Sequence, residues 1–170
     1  MIEGAGQRTL IELLYGKGAH ANPLAAVKGL DTQLAARKIE GYPQSIFEIV
    51  AHMNYWMDYE LRRIKGENPN YPEHAAMSWP ADFTPPNETE WNLLVIQFAE
   101  LIDQLATLAK TDSGFLNRQV AATQPNHDQP LYSVLDVLWQ TAIHNSYHVG
   151  QIVLLRRALN AWPVEAGDTW

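Results

Sequence analysis

Apolar positions along this chain recur at intervals of three and four and nowhere alternate long enough to suggest a sheet. Four long segments carry the helical period, separated by connections rich in Pro, Gly and Asn. The first spans roughly 3–16, where Leu10, Leu13 and Leu14 mark the apolar stripe. GKGAHAN then breaks the chain. Asn22-Pro23 supplies a cap followed by proline at the first helical position, opening short helical pieces that run through Ile39. After GYPQ, Ser45-x-x-Glu48 forms a capping-box pattern that starts a second long helix at about 45–65, and Asn87-x-x-Glu90 caps a third at about 88–110. The last and longest helix covers about 131–160, with Pro163 stopping it.

Two irregular stretches lie between these helices. ENPNYPEHAAMSWPADFTPPN is too rich in Pro and Asn to be regular and reads as a long ordered loop pinned by Trp79 and Phe83. TDSGFLNRQVAATQPNHDQP leads into the last helix, and its NRQVAA allows a short extended piece. The pattern therefore predicts an all-α chain: one domain over 1–170, a four-helix bundle with long connections and short extra helices.

Composition narrows the function classes. A chain of 170 residues with 46% apolar content can bury a sizeable core and is not disordered. Twelve Lys and Arg against 19 Asp and Glu give a net charge of −7, which opposes binding to phosphate backbones, so no nucleic-acid partner is expected. The absence of cysteine removes disulfides and thiolate-metal sites. MIEGAGQRTLIELL lacks the basic patch and apolar run of a signal peptide, and no apolar run approaches the ~18 residues of a membrane span. The expected location is the cytoplasm, with no membrane partner.

Candidate chemistry centres on IHNSYHVGQI at 143–152. At 100° per residue, His144 and His148 lie about 40° apart on one helical face, close enough for both imidazoles to reach one metal ion. No Glu follows the first histidine, so HNSYH lacks the catalytic base of the helical zinc-protease motif. His52 sits in IVAHMNYWMDY on a face shared with Glu48, Tyr55, Trp56, Tyr59 and Arg63. A bundle that turns this face inward brings a third imidazole to the pair. The residues alone leave two readings open: a three-histidine metal site, or core histidines bonded to water or backbone. No Gly-rich phosphate loop, nucleophile elbow or basic stripe is present.

SIFEIVAHMNYW at 45–56, HNSYHVGQIVLLRR at 144–157 and the closing AWP at 161–163 carry a resemblance that runs nearly the whole length: the chain is similar to the DinB family, also called DinB/YfiT-like. The resemblance implies a four-helix bundle whose metal is held by one histidine of the second helix and two of the fourth. By position these are His52, His144 and His148. Three neutral imidazoles without cysteine suit a divalent transition metal such as Zn, Ni or Fe, and three protein ligands leave coordination positions open, as in catalytic sites. Some relatives use the metal to activate a low-molecular-weight thiol. That implies a metal-dependent enzyme of the thiol S-transferase type, taking a small thiol and an electrophilic small molecule. The alternatives are a metal-dependent hydrolase and a noncatalytic stress-response metal-binding scaffold.

Other residues near the triad carry paired readings. Glu48 is either a fourth ligand or acceptor behind a ligand, or the acid of the capping box. Gln151 either reaches a water at the metal or makes a packing contact. Tyr55, Trp56 and Tyr59 either wall a pocket or belong to the core. Arg63 is either the basic group for an anionic thiol or a solvated surface arginine. His20, His74 and His127 fall in loops and read as surface or packing residues. The resemblance also implies a homodimer, for which the last helix offers a second apolar face of Leu135, Trp139, Ala142, Val149 and Val153, with Ser146 and Gly150 among them. The 66–86 loop or the short helices near 23–39 could instead cover that face within one chain.

Overall fold

A computed structural model describes residues 3–80, 87–121 and 131–162. Phe83, His127 and Pro163, with the roles expected of them, lie outside the described residues. The elements in chain order are α1 (Glu3–Leu14), α2 (Pro23–Val27), α3 (Thr32–Ala36), α4 (Ile46–Lys65), a 3-10 turn (Ala75–Ser78), α5 (Glu88–Leu108), α6 (Ser113–Leu116) and α7 (Val134–Ala158).

Local chemistry sets the starts of these helices. The Ser45 side chain accepts from the Glu48 N–H while Glu48 reaches back to the Ser45 N–H, and Asn87 with Glu90 does the same for α5. Asn22 accepts from the Leu24 and Ala25 N–H groups ahead of α2. A third capping box, Ser133 with Asp136, starts α7 at Val134 rather than near 131. The residues just before it are held as extended chain by an isolated antiparallel bridge, Gln119 to Ser133. Val120 N–H donates to Tyr132 O at 2.8 Å and Val134 N–H to Arg118 O at 3.0 Å, so the extended piece expected in NRQVAA is present at this bridge. At the other end of the chain α1 stops at Leu14, before the expected 16. Gly16 has φ +75°, and a Cβ there would meet the Ala21 carbonyl oxygen at 2.4 Å, so the chain reverses where only glycine fits. The 67–87 stretch is not irregular throughout, since it winds into the 3-10 turn that carries Ser78 to the bundle.

The four long helices touch in a closed circuit, α1 on α5, α5 on α4, α4 on α7 and α7 on α1, which is a four-helix bundle. Leu10, Leu14, Met53, Met57, Leu61, Phe98, Ile102, Leu105, Leu138 and Ile152 fill its centre, each nearly or wholly buried. Each such side chain contributes about 1.5–3 kcal/mol by leaving water. The short helices finish the job: α3 lies on α4 and α2 on α7. Arg156, buried on α7, fixes α2 by donating from Nη1 to the carbonyls of Ala26 and Lys28, both at 2.9 Å.

This packing selects between the two readings of the second apolar face of α7. The second face of α7 is not free for a partner: Ala142, Val149 and Val153 are buried within the chain, and Leu135 and Trp139 pack against its core. α1 and α2 cover α7, the second of them one of the short helices near 23–39. Among the described residues no helix is long and apolar enough to cross a membrane.

Candidate metal centre

Because α4 packs directly on α7, residues on their facing sides meet across the bundle. His52 Nε2 lies 3.3 Å from His144 Nε2, and His144 Nε2 lies 3.0 Å from His148 Nε2. One ligand atom from each of the three falls within 4.8 Å of the others. His52 and His148 are buried and His144 is half-buried.

The remaining ring nitrogens decide what those contacts mean. His52 Nδ1 is 3.0 Å from Ser78 Oγ, and that hydroxyl gives its one proton to the Ala75 carbonyl at 2.6 Å. Oγ is therefore the acceptor, and His52 carries its proton on Nδ1. His148 Nδ1 is 2.6 Å from Gln151 Oε1, an oxygen that only accepts, so His148 is also protonated on Nδ1. Both rings then turn bare Nε2 lone pairs toward His144, whose neutral ring has one proton at most to offer two neighbours. Lone pairs at such distances repel unless a cation lies among them. Two nitrogens about 2.0–2.1 Å from a common ion come to lie roughly 3 Å apart, so donor set, tautomers and spacing all fit a transition metal.

Electrostatics point the same way. Burial, and then the positive charges that His148 and His144 would carry, lower the His52 pKa to about 4. Burial, followed by His148, lowers His144 to about 4. Burial also lowers His148, partly offset by its bond to Gln151. All three are neutral near pH 7, the form that ligates metals. Trp79 stacks on the His52 ring with centroids 3.8 Å apart and planes 9° from parallel, shielding it from water.

A cleft of about 340 Å³ opens beside His52 and His144, bordered by Trp56, Glu60, Trp79, Gln140 and Thr141. Arg63 is not a solvated arginine. It is 7% exposed, its Nη1 lies 2.5 Å from Glu60 Oε2, and its Nη2 donates to the Ala121 carbonyl at 2.9 Å. Its charge is thus held by the Glu60 carboxylate, whose pKa is raised by burial against the pull of Arg63. The pair puts an acid rather than a free base at the cleft.

The other expected residues separate. Glu48 caps α4: Ser45 N–H and Oγ donate to its carboxylate at 2.6 and 2.8 Å, and Lys38 also bonds it. Burial opposes ionisation there, but the bonds from Lys38 and Ser45 hold its pKa below the ordinary value. Of the three aromatics, Trp56 borders the metal-side cleft, whereas Tyr55 and Tyr59 line a different one. The His20 ring bonds the Leu13 and Ala21 carbonyls, and His74 precedes the 3-10 turn, so neither joins the triad. Ser78 and Glu60 were not legible as site residues. Gln151 could have been read as the orienting partner of His148, since residues three apart on a helix meet.

A family model described as DinB superfamily matches residues 17–152, a span that includes all three histidines, Ser78 and Gln151. No curated protein and no solved structure matches the chain.

Proposed function

The chain belongs to the DinB superfamily, and from that premise we propose that His52, His144 and His148 hold one divalent transition ion, Zn, Ni or Fe, in a metal-dependent enzyme that uses a low-molecular-weight thiol. The observation that carries the metal reading is the tautomer pattern: Ser78 and Gln151 occupy the Nδ1 protons of two rings and leave three Nε2 atoms turned on one point. The open cleft beside two of the three rings supports access by a small molecule. Held by His52, His144 and His148, such an ion would supply a positive charge that lowers the pKa of a thiol bound beside it, favouring the thiolate near neutral pH. The chain contains no cysteine, so the nucleophilic sulfur belongs to a substrate. Trp56 and Trp79 add apolar surface to a cleft also bordered by Glu60, Gln140 and Thr141. Because Arg63 is spent on Glu60, the cleft favours a neutral or cationic thiol over an acidic one.

A metal-dependent hydrolase is the second reading, favoured by Glu60, a partly buried carboxylate at the cleft that can accept a proton from water. The discriminating assay gives metal-loaded protein a generic electrophile with and without a panel of small thiols. Turnover that requires thiol, disappears on chelation and is absent from a folded His144→Ala variant is the expected result. Turnover without thiol would replace the proposal by the hydrolase. Inactivity across the panel, with the histidine variants losing only stability, would leave a metal-binding scaffold in the stress response.

We also propose a homodimer, through a different surface of α7 from the one the sequence suggested. Ile143, Tyr147 and Leu154 are 62, 65 and 53% exposed, and with the exposed Gly150 they recur every four, three and four residues, the spacing of a helix-pairing seam. Sedimentation at tens of micromolar should show a dimer that Tyr147→Glu dissociates. A wild-type monomer would end this proposal.

A further inference from the structure

Gln151 meets His148 through one end of its side-chain amide and Tyr147 through the other. Gln151 Oε1 lies 2.6 Å from His148 Nδ1, and Gln151 Nε2 donates to the Tyr147 hydroxyl at 3.2 Å. Residues four apart on a helix meet on its surface, so α7 alone builds the Tyr147 contact. The Tyr147 and His148 rings also pack edge to face, with centroids 5.1 Å apart and planes at 77°. His148 is buried, Gln151 half-buried and Tyr147 65% exposed, so the three form a path from the metal centre to the outer face of the bundle.

The donors along this path must all run one way. An amide has one accepting end and one donating end, whereas a hydroxyl does both. As the path stands, His148 Nδ1–H donates to the amide oxygen, the amide N–H donates to the Tyr147 oxygen, and the Tyr147 proton is left to point outward. Reversal keeps every bond. The Tyr147 O–H would donate to the amide oxygen, the amide N–H would donate to a bare His148 Nδ1, and the ring proton would sit on His148 Nε2. That atom is the one 3.0 Å from His144 Nε2, where ligation needs a lone pair. Only the first direction is ready for metal. His52 has no such freedom, because Ser78 commits its proton to the Ala75 carbonyl.

We propose, resting on the metal reading above, that Tyr147 is a positioning residue whose outward hydrogen bond sets the tautomer of His148 through Gln151. A carboxylate or carbonyl that accepts the Tyr147 proton at the surface holds the first direction and raises metal affinity. A donor placed there, such as an ammonium, favours the reverse and lowers it. Tyr147 is exposed in the α7 seam proposed for self-association, so a partner that covers it acts on the metal centre by this route.

Two substitutions replace the hydroxyl by a one-way group. Tyr147→Glu can only accept from the amide, and Tyr147→Lys can only donate to it. Nitrogen-resolved NMR of the metal-free chain should show His148 protonated on Nδ1 in the first and on Nε2 in the second. Competition with a chelator should give zinc affinity at least about tenfold weaker for Tyr147→Lys, as when about one ring in ten keeps the ligating tautomer. The opposite charges contribute to that gap, and Gln151→Leu isolates their share by cutting the path; in its background most of the difference should disappear. Both variants carry a charge in the seam and are compared as monomers. The same His148 tautomer in both, or an affinity gap as large beside Gln151→Leu, would overturn the proposal while zinc binding by the wild type stands. A wild type that takes up no zinc would end the metal reading and the proposal with it.

Discussion

His148→Ala protein, reconstituted and desalted beside the wild type, should emerge nearly free of metal where the wild type carries about one ion per chain. Removing one of three imidazoles takes away a bond and also the Gln151-oriented ring that fixes the direction of a lone pair. Loss of an orienting partner alone costs a site about 10–100-fold in affinity, so loss of the ligand should cost at least about 100-fold. Ser78→Ala and Gln151→Leu provide the graded comparison. They keep all three rings but release an Nδ1 proton, and should weaken binding by about 10–100-fold without abolishing it. Elemental analysis and competition with a chelator measure both effects, and circular dichroism checks that the bundle remains folded. A wild type that takes up no Zn, Ni or Fe(II) on reconstitution would remove the metal reading. An unchanged Kd in Ser78→Ala would remove the orienting role of the 3-10 turn.

The contrast between these variants shows what a sequence can reveal here. Ser45 with Glu48 and Asn87 with Glu90 are legible because a capping box is chemistry between residues three apart, whatever surrounds it. The three histidines are legible for a related reason: helical periodicity puts two on one face, and bundle geometry brings in the third. Ser78 is 26 residues from His52, in a stretch dense in Pro and Asn, and its partner depends on where a tertiary contact docks the 3-10 turn. The face that Arg63 shares with His52 is legible, but its burial is not, because that depends on Glu60 and on the Ala121 carbonyl. The orientation of α7 is the least legible. The helix is apolar on several sides, and only the packing of α1 and α2 tells which sides the chain itself consumes. Local signals thus set helix starts and candidate ligands, while surfaces that close by tertiary contact stayed ambiguous.

Proton competition should make the metal-free bundle unusually sensitive to mild acid. In the unfolded chain a histidine titrates near 6.5, whereas burial and mutual repulsion hold His52 and His144 at about 4 in the folded one. Above about pH 6.5 both states are neutral and the histidines confer no pH dependence. As pH falls from 6.5 toward 4 the unfolded state takes up protons that the native state refuses, so stability must fall across that window. One pK unit corresponds to about 1.4 kcal/mol, so a ring as buried as His52 accounts for roughly 2–3 kcal/mol by pH 4. His144 and His148 share the same pocket and titrate with it, so the three losses do not simply add. Even one such loss is a large part of the 5–15 kcal/mol typical of a domain. Among the carboxylates, Glu48 and Asp136, with pKa values lowered from the ordinary 4.5 and 3.8, weaken the fold as pH falls below those ordinary values, whereas Glu60, raised by burial, takes up its proton within the window and offsets part of the histidine loss. Urea midpoints measured with chelator should therefore decline from pH 6.5 to 4.5, where the buried histidines outweigh the single opposing carboxylate of Glu60. Saturating metal adds stability at pH 7 by mass action, and because the folded His52 and His144 resist protonation down to about 4, this addition should persist through most of the window and fall as pH approaches 4. Substituting Asn for His52 removes one titrating ring and should flatten the metal-free decline. A wild-type midpoint that stays level from 6.5 to 4.5 would show that the imidazoles are solvated, and the buried neutral triad on which the metal reading stands would be wrong.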